Sequence, residues 1–380
     1  MKETIRMSKT AEATFGRGMK LINMLGDPDR KEHGRIMREV CLCWFREKAF
    51  PYHYFSAKLY RREAPDYRLF VSNQTLKKML HSRWVRNEES AGLMSNKLQF
   101  YQHLHRAGLP QPLLVGWMKK NHLHLADETV RIDAVAALRQ RLTELFRTYA
   151  FTALFFKPVE GKLGQGCYRL TREQCADSDP EILQTILEKS RNTSYLLQES
   201  VTQHPEVSRI YPHSINTIRL ITYLDRWQQV HPLAAYMRLG VGGAYVDNAS
   251  AGGIFVRIDP VREVITGRAI HKLEHGTKTY RRHPDTGCLF EGTPLPFLKE
   301  TLTMTEKAAL CFSTRIVGWD VALSDQGPVI IEGNSIPNLR SAEVMAGGFR
   351  NHPVFQLIHG EMSRAYPNKT HPLNEGAGFS

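Results

Sequence analysis

The sequence predicts an α+β protein, with strands that carry the candidate chemistry and helices that frame them. Three observations predict it. Residues 316–334, IVGWDVALSDQGPVIIEGN, hold two apolar runs around Ser324-Asp325-Gln326-Gly327, which is turn chemistry, and so form a β-hairpin. Strand patterns recur at 151–157, 195–201, 216–223 and 233–239. Between them, Leu98, Tyr101 and Leu104, and then Val135, Leu138, Leu142 and Leu145, fall at helical spacing.

At 380 residues the chain exceeds one ordinary domain. Hydrophobic content of 42% with 23% charged residues fits a folded globular chain. No stretch has the length and apolarity of a membrane span, and the first residues lack the apolar core of a secretory signal. The six cysteines show no CxxC pair, as expected for reduced thiols in the cytoplasm. The formal charge of +13 is concentrated in residues 1–90, where 19 Lys/Arg stand against 11 Asp/Glu. Such a surface favours anionic partners. With no zinc finger, no RNP-like motif and no long basic run, the expected partners are small molecules and not nucleic acid. Nothing in the sequence specifies an oligomeric state.

Residues 1–92 read as a mainly helical accessory region, including a mixed-charge stretch from Arg30 to Glu47. A helix then opens with Ser95 as its cap and stops at Gly108, before Leu109-Pro110. A second helix starts at Asp133. The strand Phe151–Lys157 runs into Pro158 to Tyr168, a loop with Gly161, Gly164 and Gly166. Its bare amides can approach an anion closely, with Lys157 at its mouth, or the loop is simply a glycine-rich hairpin turn. Asp179-Pro180 starts a helix through Leu187, and the strand 195–201 carries Gln198 and Glu199 and ends at Val201. Alternation in 216–223 sets Thr217, Arg219, Ile221 and Tyr223 on one side. Arg219 there clamps a phosphate or carboxylate, or pairs with an acid. Arg238 closes the strand Leu233–Leu239, and Asp247 to Gly253 is a small-residue turn containing Asn248. Helices follow at 296–312 and 353–366, and residues 367–380 form a tail rich in Pro, Gly and Asn.

The hairpin sharpens the question. A three-residue loop, Asp325 to Gly327, with Gly327 in the left-handed region, sets Asp320 opposite Glu332, and Asn334 shares their face. Trp319, Val321, Leu323, Val329 and Ile331 form the other, apolar face. Like charges directly opposite destabilise a sheet, and carboxylate with amide oxygens suits a hard cation such as Mg²⁺. The alternative is a pair of acids on a solvated face.

The order of these pieces, Lys157 with its loop, Gln198-Glu199, Arg219, Asn248 with Gly252-Gly253, then Asp320, Glu332 and Asn334, resembles the ATP-grasp superfamily. The strings NTIRLITY, VDNASAGG, HPDTG and GWDVAL with IEGN resemble its sugar-transfer-associated branch, from about Ser95 to past Asn334. The resemblance implies two α+β subdomains, 93–197 and 198–366, that grip ATP and Mg²⁺, with 1–92 as accessory region and 367–380 as tail. It implies that Lys97, Lys157, Glu160, Gly161, Gly164 and Gly166 meet the phosphates and that Gln198, Glu199 and Val201 meet the adenine. Asp320, Glu332 and Asn334 would hold the metal, and Arg219, Arg238 and Asn248 would act at the reacting phosphoryl group. The implied activity is an ADP-forming ligase that joins a carboxylate to an amine through an acyl phosphate, with sugar-linked substrates of cell-surface polysaccharide. A kinase on the same fold and a non-catalytic nucleotide-binding protein are the alternatives.

Overall fold

The computed structural model describes residues 22–149, 151–161, 166–176 and 181–366. After a helical stretch at 22–25 come helices α1 (His33–Glu47), α2 (Tyr52–Ser56), α3 (Asn73–Leu80), α4 (Glu88–Ser95) and α5 (Lys97–Arg106). Helix α5 is capped by Asn96, whose side chain accepts from Gln99 N at 3.1 Å, and not by the predicted Ser95, which ends α4.

The first sheet contains β1 (Leu114–Lys119), β2 (His122–His124), β3 (Thr129–Arg131), β4 (Ala153–Pro158), β5 (Tyr168–Thr171) and β6 (Tyr195–Glu199). Its order is β3-β2-β1-β6-β4-β5, antiparallel throughout. Helices α6 (Val135–Tyr149), α7 (Arg172–Ala176) and α8 (Glu181–Ser190) cover one face. The apolar stripe of α6, Leu138, Leu142, Leu145 and Phe146, meets Leu154, Phe156 and Leu197 from the sheet.

The second sheet contains β7 (Thr217–Leu224), β8 (Val230–Leu239), β9 (Ile254–Asp259), β10 (Val264–Ile270), β11 (Thr279–Tyr280), β12 (Ile316–Ser324) and β13 (Gly327–Asn334), in the order β11-β10-β9-β8-β7-β12-β13. Both faces are covered, as its long apolar strands require. On one face Ile221, Tyr236 and Phe255 pack against α3 and against α11 (Leu339–Ala346) and α12 (Pro353–Ala365). On the other, α9 (Pro205–Ile210) and α10 (Leu298–Leu310) cover Ile218, Met237, Val256, Trp319 and Val321.

The expected boundary near residue 93 falls differently. Phe100 and Leu104 of α5 lie in the core with Trp319 and Ile330, so this helix belongs to the seven-stranded unit, and the six-stranded unit starts with β1. Residues before 93 also join the larger unit, through Leu76, Met79 and Val85. Among the described residues, no helix is long and apolar enough to cross a membrane.

Candidate active site

Register places the polar groups in rows across the larger sheet. Asp320 on β12 pairs with Arg219 on β7 and with Glu332 on β13, and Arg219 pairs in turn with Tyr236 on β8. One step along, Thr217 pairs with Arg238. Neighbouring side chains on one face of a sheet meet directly or diagonally, so this pairing alone brings two cations to two acids.

The β12–β13 turn differs from the predicted one. Ser324 pairs with Gly327, which leaves a two-residue loop, and the ladder would then set Asp320 opposite Ile331. A bulge at Ile331 inserts one residue and restores Asp320 opposite Glu332. Between bulge and turn the expected apolar face changes accordingly: Ile330, not Val329 or Ile331, packs with Trp319 and Val321.

Asp320 is buried and doubly held. Arg219 donates through Nε and through Nη2, the latter at 2.8 Å, and Arg238 Nη1 donates to both carboxylate oxygens at 2.9 and 3.0 Å. Burial alone would raise this carboxyl; Arg219 and then Arg238 outweigh it and hold the group below the usual range. Arg238 Nη2 also donates to Asp247, whose other oxygen accepts from Thr217 N at 2.9 Å and from the Thr217 hydroxyl. Glu332 contrasts with its neighbour. It makes no ion pair with a described residue, and burial and the charge of Asp320 push its carboxyl up.

These groups line a cleft of about 370 Å³ between the sheets. Along β4, Leu154 and Phe156 face the core while Phe155 and Lys157 face the cleft. Burial lowers the Lys157 ammonium, with Cys167 and Glu332 acting in the opposite direction. Lys97 opens α5, donates its backbone N–H to Val159 O at 3.0 Å, and reaches Gly161 O with Nζ at 2.9 Å.

Of the residues singled out from sequence, the cleft is lined by Lys97, Lys157, Gly161, Glu199, Val201, Arg219, Arg238, Asn248, Asp320, Glu332 and Asn334. Three others stand off the lining. Glu160 is exposed, Gly166 turns back over Pro158 with φ +71°, and the buried Gln198 side chain donates to Pro112 O at 3.2 Å. Gly164 lies outside the described residues. Asp247 and Lys272 line the cleft without having been singled out. Asp247 stood in the string VDNASAGG, where a charged residue amid small ones was a readable signal; Lys272 had none.

The donor set fits a divalent cation. Glu332, half-buried and without an ion pair among the described residues, shares a face with the Asn334 amide and faces Asp320, and these are the hard oxygen donors such an ion takes, although Arg219 and Arg238 already engage both Asp320 oxygens.

The chain matches the family described as Sugar-transfer associated ATP-grasp over residues 79–352. No curated protein matches it. Among solved structures it is similar to D-alanyl-alanine synthetase A from Vibrio cholerae, with 11% identity, TM-score 0.44, and 72% of this chain and 66% of that one covered. It is similar to the ATP-grasp ligase PsnB complexed with minimal precursor at 16% identity and TM-score 0.39, covering 73% and 64%. For N5-carboxyaminoimidazole synthase from Aspergillus clavatus the values are 9%, 0.36, 65% and 46%. The chain thus spans from about half to two thirds of the length of these structures. The match of 79–352 covers most of the chain and includes Lys97, Lys157, the paired arginines and the acidic hairpin: the protein belongs to the sugar-transfer associated ATP-grasp family.

Proposed function

We propose that the chain is an ATP-dependent ligase that activates a carboxylate as an acyl phosphate and passes it to an amine, forming a C–N bond and releasing ADP and phosphate. The observation that carries this reading is the convergence of Lys97, Lys157, Arg219, Arg238 and Lys272 on one cleft whose floor is the Asp320–Glu332 pair. These five cations outnumber the acids of the lining, Glu199, Asp247, Asp320 and Glu332, which suits a polyphosphate, and Phe155, Val201 and Ile331 supply apolar surface for a base. Asp320, Glu332 and Asn334 would hold Mg²⁺, which when bound supplies positive charge against the phosphates.

The chain's own groups then have distinct tasks. Lys157 and Lys97 bind and orient the phosphates, and Arg219 and Arg238 stand where charge develops as the γ-phosphoryl leaves ADP for a carboxylate oxygen. The amine attacks the acyl carbon, phosphate departs with the bonding electrons, and the amine's proton is released. The cleft keeps water from the acyl phosphate in between. The family's association with sugar transfer supports amino acids and amino or uronic sugars of a cell-surface polysaccharide as substrates.

Hydroxylamine tests the intermediate. Incubated with ATP, Mg²⁺ and a panel of carboxylates but no natural amine, the protein is expected to yield a hydroxamate together with ADP and phosphate. A stable phosphorylated product with neither hydroxamate nor free phosphate makes the chain a kinase and overturns the ligase reading.

A further inference from the structure

A second cavity, of about 220 Å³, adjoins the cleft and shares Phe255, Lys272, Asn338 and Ser341 with its wall. Its far side is built by the N-terminal region: Ser56, Lys58 and Asn73 face residues 270–274. Lys58 is only 6% exposed, and its ammonium has one hydrogen-bond acceptor among the described residues, the Gly276 carbonyl at 2.9 Å. An ammonium has three donors, and a buried cation without an anion is costly. Burial, and then Arg61, lowers the Lys58 ammonium to about 7, although Asp27 and Glu274 oppose the shift.

The neighbouring charges are otherwise engaged. Arg61 pairs with Asp29 and Asp27, and Arg340 is bound to Glu343, to Val71 O at 2.7 Å and to Asn73 Oδ1 at 2.7 Å. Among the described lining residues, Glu274 is the one acid, beside Lys58, Lys272 and the already engaged Arg340. Asn338 and Ser341, the N-cap and first turn of α11, line both cavities, so the positive end of that helix lies at the junction.

We propose that this cavity is the compartment for the second substrate: Lys58 holds an oxyanion of that substrate, a carboxylate or a phosphate group, and the remainder extends through the shared wall into the cleft. The inference rests on reading the cleft as the ATP site, and it gives the N-terminal region the task of selecting the substrate. Lys58 binds and positions; it takes no part in bond making.

The test titrates the full chain, saturated with adenylyl imidodiphosphate and Mg²⁺, with sulfate in one arm and acetate in the other, at constant ionic strength, by calorimetry. At least one anion is expected to bind the wild type and to bind Lys58→Met about tenfold more weakly, the size of one charge-assisted hydrogen bond, with nucleotide affinity unchanged. Preference for sulfate assigns a phosphate-bearing substrate, and preference for acetate assigns a carboxylate. Equal binding to both proteins, or no binding to the wild type, overturns the proposal. Should Lys58→Met fail to fold, the His271 ring, which lines the cavity, reports in the wild type by NMR. An anion beside Lys58 raises the His271 pKa, and an unshifted titration overturns the proposal. Failure of the nucleotide to bind overturns the ATP-site reading and with it the assignment to a second substrate, whereas the Lys58-dependent anion site is read separately from the same arms run without nucleotide.

Discussion

Asp320 has two guanidinium partners in the protein itself, so it does not stand as an unrelieved like charge opposite Glu332. Replacing it by Asn strips Arg219 and Arg238 of the carboxylate they share in a buried setting. Asp320→Asn is therefore expected to lower the unfolding free energy by about 3 kcal/mol, the usual cost of breaking a buried pair, in urea without divalent ions. Glu332→Gln is expected to leave stability unchanged or raise it, because it removes a half-buried charge facing another of the same sign. The two acids also differ in pH dependence. The stability that Asp320 contributes is present above its unfolded pKa and is lost as the pH falls through its lowered folded value; the cost of ionised Glu332 is felt at neutral pH and disappears as the pH falls through its raised one. At the cleft wall, Lys157→Ala is expected to weaken nucleotide binding about tenfold by calorimetry, with the fold intact. The conflict between acids was legible in the sequence, but its resolution was not: Arg219 and Asp320 are 101 positions apart, and only strand pairing makes them neighbours.

At the level of elements, the hairpin shows how a correct register can follow from a wrong turn. Turn residues and alternation were readable, and Gly327 does take φ +128°, yet a bulge has no composition signature and so Ile331 could not be foreseen. The strand that carries Glu332 and Asn334 is also tightly seated at Gly333. A Cβ on Gly333 would stand 2.7 Å from Phe100 Cε2 and 3.2 Å from Trp319 Cζ3, both rigid rings. Gly333→Ala is therefore expected to cost about 1 to 3 kcal/mol in urea unfolding and to reduce turnover in the proposed reaction, since β13 must back away from α5 and carry Glu332 with it. A variant with unchanged midpoint and turnover would show that α5 yields instead.

For the whole molecule, the N-terminal region is the part the sequence described least. Its helices were legible, but its docking onto the larger sheet depends on Leu273, Val344 and Glu343, far along the chain. Buried groups make that docking sensitive to pH. His53 is 1% exposed, lies 3.4 Å from Glu47, and is pushed down to about 3 by burial and then by Arg340, Arg46 and Arg350. Its folded pKa lies below its unfolded value, so the unfolded chain binds the extra proton, and stability falls as the pH drops from 6.5 towards about 3. The slope approaches about 1.4 kcal/mol per pH unit. His53→Gln is expected to flatten that limb of urea midpoints against pH. Glu343, pushed up to about 7 by burial, slopes the other way in both proteins, so the difference between them is the readout. An unchanged slope would remove His53 from the acid response.

Helix α5 is rooted in the larger unit by Phe100 and Leu104 and touches the smaller one at its first residue, where Lys97 meets Val159 and Gly161. The Lys97 ammonium therefore ties the two halves together in the free protein, and it also lines the cleft. A phosphate that draws it from Gly161 exchanges a direct tie for one that runs through the ligand. On the ATP-site reading, stiffness between the halves would then depend in part on what is bound, since only the backbone bond from Lys97 to Val159 would remain as a direct tie at this end of α5.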